Sequence, residues 1–161
     1  MSKCRLVYRA GNEHNPGNPF GRAELVIEAD GRMRLEHFAR GREPRAWTGT
    51  IDAAALERLH AALESANFPL VAKHPVPGGA EFRQLAATGA DGTRAAIAVE
   101  WHAIADMPGY REAFSILDAT IAQLGGLAWD RPPDPQPALV RDVRQDASPN
   151  AAPPSIIPPR R

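Results

Sequence analysis

A tripeptide that occurs twice limits the folds open to this chain of 161 residues. Ala29-Asp30-Gly31 divides residues 22–28 from 32–38, and Ala90-Asp91-Gly92 divides 81–89 from 93–102. The flanking segments alternate apolar with polar side chains, the period of a half-buried strand. An Asp-Gly pair between two such segments marks a hairpin. A two-residue turn at Asp30-Gly31 would set Leu25 and Ile27 opposite Glu36 and Arg34, mixing core and water on one face. A three-residue loop with Gly31 in the left-handed region instead pairs Glu28 with Arg32, Leu25 with Leu35 and Ile27 with Met33. The same loop in the second unit pairs Gly89 with Thr93 and Leu85 with Ile97. It turns Leu85, Ala87, Ala95, Ile97, Val99 and Trp101 inward, and Phe82, Gln84, Ala96, Ala98, Glu100 and His102 outward.

Each hairpin is followed by a helical pattern. Asp52 is a natural N-cap before Ala53-Ala54-Ala55, and Leu56, Leu59, Leu63 and Ala66 form one apolar stripe. Asn67 and Pro69 end it. A second helix starts near Asp106-Met107-Pro108 and stops at Gly125-Gly126, with Tyr110, Phe114, Leu117, Ile121 and Leu124 as its stripe. Residues 3–9 and 46–51 add one or two strands. The expected class is α+β: an antiparallel sheet of two Asp-Gly hairpins plus one or two extra strands, with both helices packed on one face. Strands without a βαβ rhythm argue against a parallel nucleotide-binding sheet.

Nine of the 16 prolines fall between residues 131 and 161. Proline lacks an amide donor and fixes φ, so this stretch reads as an extended or disordered tail. Residues 1–130 are the expected single domain. Ala138–Val143 interrupts the prolines with three aliphatic side chains, a segment able to add to a sheet edge.

Charge and cysteine content narrow the function classes. Lys+Arg and Asp+Glu both number 19, which lacks the positive surplus of a nucleic-acid binder. No apolar run reaches the length of a membrane span. The lone cysteine, Cys4, reads as a small buried side chain, and the chain as a cytoplasmic, bacterial-type protein with no disulfide. Phosphate-loop, dinucleotide, zincin and serine-elbow motifs are missing.

Two groups of residues remain as candidates. Residues 11–21 connect the first two strands through three glycines, three asparagines and two prolines, long for a hairpin loop. Asn12, Glu13, His14, Asn15, Asn18 and Phe20 are its candidate binding residues. The second group is the outward sheet face, Phe82, Gln84, Glu100 and His102, where alternation sets Glu100 and His102 side by side. The expectation is a small non-enzymatic protein-binding module, of the inhibitor or immunity type that neutralises a partner protein, without cofactor or metal. One alternative is a metal-assisted or acid–base enzyme using His14/Glu13 and Glu100/His102. Another is a structural subunit assembled through its proline-rich tail.

Overall fold

A computed structural model of the chain describes residues 4–71, 81–129 and 131–146. In chain order it has β1 (Arg5–Gly11), β2 (Arg22–Ile27), β3 (Arg32–Phe38), β4 (Arg45–Ile51) and α1 (Ala53–Ser65). Then come β5 (Phe82–Thr88), β6 (Arg94–Glu100), a 3-10 helix (Trp101–Asp106), α2 (Pro108–Gly125) and β7 (Val140–Asp146). The class is α+β. Among the described residues the seven strands form one antiparallel sheet in the order β6-β5-β1-β2-β3-β4-β7.

Register follows the separation of core from water. Leu25 lies opposite Leu35 and Ile27 opposite Met33, while Leu85 lies opposite Ile97. The Glu28 amide donates to the Arg32 carbonyl and the Gly89 amide to the Thr93 carbonyl, closing three-residue loops. Asp30 and Asp91 each accept the amide two residues on, a local turn that fixes the loop before the strands pair. Gly31 sits at φ +86, a conformation that costs a β-carbon dearly.

Buried side chains from β1, β2, β3, β5 and β6 all come from one face of the sheet. α2 crosses that face: Phe114 stacks on Tyr8 of β1 with ring centroids 5.4 Å apart. Its stripe Tyr110, Phe114, Leu117, Ile121 and Leu124 is buried. α1 packs on α2 and buries Leu59 and Leu63, and His60 reaches Cys4 at 3.9 Å. Asp52 caps α1 by accepting the Ala54 amide. Gly126 ends α2 in the left-handed region.

Two expectations need correction. The ordered body does not end at residue 130, because β7 pairs with β4. This strap forms where Ala138–Val143 is able to add to a sheet edge, and the prolines before it lack donors but leave carbonyls to be bonded. The Gln123 side chain donates to the Pro137 carbonyl and accepts the Leu139 amide, and the Asp52 amide donates to the Leu139 carbonyl. Leu139 is 1 % exposed. Gly49, opposite a bulge, leaves room for β7 and α2, since a β-carbon there would lie 3.0 Å from the Arg141 carbonyl and from Leu124. The rest of the expected tail, residues 147–161, lies outside the described residues. The second correction concerns β6, which ends at Glu100. Its carboxylate accepts the amides of His102 and Ala103 and caps the 3-10 helix. Glu100 and His102 therefore do not share a strand face.

Two substitutions test this architecture. Gly31→Val, with no steric neighbour nearer than ordinary contact, should still cost about 1 kcal/mol or more through its positive φ, read in a urea titration. Leu139→Ala should cost about 2–4 kcal/mol if the strap completes the core, whereas an undocked segment would leave the midpoint unchanged.

Candidate functional site

The connection between β1 and β2 is a stack of three turns built on asparagines three residues apart. Asn12, Asn15 and Asn18 accept, through their side-chain oxygens, the amides of His14, Gly17 and Phe20 at 2.9–3.0 Å. The main-chain carbonyls of the same asparagines accept the amides of Asn15, Asn18 and Gly21. Each asparagine thus closes two local bonds, and the loop holds its shape by its own polar groups.

Charges tie this loop to the sheet. Both Glu13 carboxylate oxygens accept from Arg22 Nε at 2.9 Å. Arg22 lies over the Phe38 ring and reaches Glu24, which pairs with Arg9. Burial raises the Glu13 pKa, but its hydrogen bonds and the Arg22 cation outweigh that and hold the carboxyl below its ordinary value.

β5 runs antiparallel beside β1, so its first residues lie next to the start of this loop. Asn12, Glu13, Asn15 and Asn18 therefore line one shallow cleft of about 610 Å³ together with Phe82 and Gln84. Six residues from the two separate candidate groups converge here. The other four do not. The His14 side chain is 86 % exposed and stands 3.7 Å from Glu13. Phe20 is buried, stacked on Trp129 with centroids 3.9 Å apart. Glu100 is committed to its cap, and His102 lines a different cleft.

That second cleft, of about 170 Å³, was not foreseen as a site. It is lined by Trp101, His102, Arg111, Ser115, Asp118 and Arg131, with Pro132 and Pro133 beside them. Behind it lies a buried charge cluster. Arg83 takes an inward position on β5 and its side chain is 3 % exposed. Its guanidinium pairs with Glu81 and stands 3.5 Å from the Asp118 carboxylate. Trp101 and Trp129 flank it, with ring centroids 4.2 and 5.1 Å from the guanidinium carbon. Tyr8 donates its hydroxyl to Asp118 at 2.6 Å. Burial pushes the Asp118 carboxyl up to about 6, against the opposing pull of Arg83 and Tyr8. A sequence signal existed: Arg83 shares the strand parity of Leu85 and Ala87, and Asp118 follows Phe114 by one helical turn.

His37 is also buried. Burial lowers its pKa, as do the nearby Arg45 and Arg42 charges. A neutral ring fits its partners: Nε2–H donates to the Phe20 carbonyl at 2.5 Å, and Nδ1 accepts from Arg45 at 3.4 Å. Among the described residues no three His, Cys, Asp or Glu side chains gather in a metal-binding group. No described helix is long and apolar enough to cross a membrane. No family model, curated protein or solved structure matches the chain.

The raised Asp118 carboxyl makes a signed prediction. Its folded pKa lies above the unfolded 3.8, so its contribution is full below pH 3.8 and is lost as pH rises through about 6. The stability of the native chain relative to Asp118→Asn should therefore fall across this window, by about 3 kcal/mol at most. Urea titrations over a pH series read this difference, and parallel curves for the two proteins would refute it.

Proposed function

We propose that the protein is a non-enzymatic binding module that engages a partner protein through the cleft between the asparagine loop and the start of β5. In this reading both helices cover one face of the sheet and leave the other to a partner, in a cytoplasmic setting. The observation that carries it is the convergence of Asn12, Glu13, Asn15 and Asn18 with Phe82 and Gln84. A preformed loop loses little conformational freedom on docking, which favours affinity. Phe82 supplies apolar surface, and the asparagine amides supply donors and acceptors around it. The role we assign is that of an inhibitor neutralising a partner protein.

The acid–base alternative draws less support. Glu13 is held by Arg22 and Glu100 by two main-chain amides, so neither carboxylate is poised to exchange a proton with a histidine. A role for the tail in assembly rests partly on residues outside those described.

The test compares three variants in affinity capture from the native cell. Replacing Asn15 and Asn18 together by alanine removes two turn-closing side chains and should weaken partner retention about tenfold or more. His14→Ala and His102→Ala should each retain the partner as the native chain does. Loss of biological activity by two or more orders of magnitude in either histidine variant, with the loop variant unaffected, would favour the enzyme instead.

A further inference from the structure

The two ends of the sheet are finished differently. At one end, β7 carries the marks of a guarded edge. It is bulged against β4, Asp142 sits at φ +53, and Arg141, Asp142, Arg144 and Asp146 space charge along it. Arg141 pairs with Asp52, and Asp146 with Arg34. At the other end, β6 carries none of these devices. Its register with β5 is regular from Arg94 to Glu100, it contains no proline, and its five central residues are Ala95, Ala96, Ile97, Ala98 and Val99.

Hydrogen-bond parity shows which groups this edge offers. The Gly89 amide donates to the Thr93 carbonyl, and the Trp101 amide to the Glu81 carbonyl. In an antiparallel ladder, residues of that parity turn both main-chain groups toward the neighbour. Ala95, Ile97 and Val99 therefore face β5, while Arg94, Ala96 and Ala98 turn their amides and carbonyls to the free side. Among the described residues no strand pairs there. The Ala96 and Ala98 side chains are exposed and too small to hinder an approaching backbone.

We infer that β6 pairs antiparallel with β6 of a second copy of this chain, around a two-fold axis at Ile97. That register places each Ala96 opposite the other copy's Ala98, so the outward-facing groups bond to one another. It also places Arg94 opposite Glu100 at both ends. Among the described residues Arg94 has no ion-pair partner, and the Glu100 carboxylate accepts two main-chain amides and meets no cation. All four side chains of this parity lie on the same face of the sheet, so each cation meets an acid across the seam. The sheets of the two copies then join into one. This inference is independent of the loop cleft and survives if that reading fails.

Sedimentation equilibrium on the full chain tests it. The native chain should be dimeric at tens of micromolar, and a monomer there overturns the proposal. Ala96→Pro removes an amide from the free edge without taking a bond from β5, so it should yield a folded monomer by circular dichroism. Arg94→Glu sets acid against acid at both ends and should weaken the dimer about tenfold or more. Glu100→Arg should do the same with cations. Mixing Arg94→Glu with Glu100→Arg restores opposite charges at both ends and should recover dimer. A native dimer indifferent to Ala96→Pro and Arg94→Glu would place the interface elsewhere and overturn the proposal. If Ala96→Pro fails to fold, the charge variants and their mixture decide alone, and a mixture that stays monomeric overturns the register.

Discussion

The structure depends on keeping one cation, Arg83, out of water. Its side chain is 3 % exposed, on the sheet face that otherwise buries aliphatic and aromatic groups. A buried charge is tolerated only when paired and enclosed. The partners here come from separate parts of the chain: Glu81 beside β5, Asp118 on α2, Trp101 in the 3-10 helix and Trp129 beyond α2. Tyr8 on β1 fills the remaining acceptor of Asp118. Sheet and helix must be in place together for the full pairing: without α2 the guanidinium keeps only Glu81, and without β5 the buried Asp118 carboxylate faces no cation, a loss of about 3–5 kcal/mol for breaking a buried pair. Specifying the position of α2 is the benefit, since an all-apolar face would let the helix slide or rotate with less penalty.

The same cation organises the loop. Trp129, flanking Arg83, stacks on Phe20, and Phe20 meets the edge of His37, whose ring holds the Phe20 carbonyl. The last turn of the asparagine stack is thereby pinned to the core, while its first residues are pinned by Glu13 to Arg22. Between these anchors the three turns close on their own side chains. Ordering the loop is thus accomplished during folding, and the polar groups left over define a fixed surface.

How much of this was legible in the sequence follows from which interactions are local. Register in both hairpins comes from alternation and a single glycine turn: pairing Leu25 with Leu35 keeps charge out of the core, while pairing Leu85 with Ile97 gathers the apolar side chains and carries Arg83 inward with them. The α1 cap and the α2 stop are likewise set within a few residues, at Asp52 and Gly126. Three features escaped. Glu100 ends β6 by capping a 3-10 helix, which competes with an alternation that continues unbroken through His102. β7 docks through Gln123, a residue 16 positions before Leu139 whose side chain bonds main chain that composition cannot display. Arg83 and Asp118 are unremarkable in sequence unless strand parity and helix phase are read together. The loop was found from its glycines, asparagines and prolines, yet its threefold asparagine spacing was the more specific signal.

The face of the sheet opposite α2 bears on why the two proposed sites lie at its margins. Arg5 pairs with Glu28, Arg9 with Glu24, and Arg34 with both Glu36 and Asp146. Exposed pairs of this sort contribute only about 0–1 kcal/mol each to stability. Their effect is on association: a face of matched, hydrated ions must be stripped of water before anything can pack on it, and each stripped pair regains little. The centre of the sheet is therefore a poor docking surface. At the β1–β5 corner the pattern gives way to Phe82, Gln84 and the asparagine turns, and along β6 it gives way to Ala96 and Ala98. At the proposed edge seam a partner would meet bare main chain, and at the proposed cleft Phe82 beside the paired Glu13 and Arg22. The arginine–glutamate pairs between them disfavour packing at the centre of the face, so in the proposed reading what those pairs repel helps to set where the two proposed sites lie.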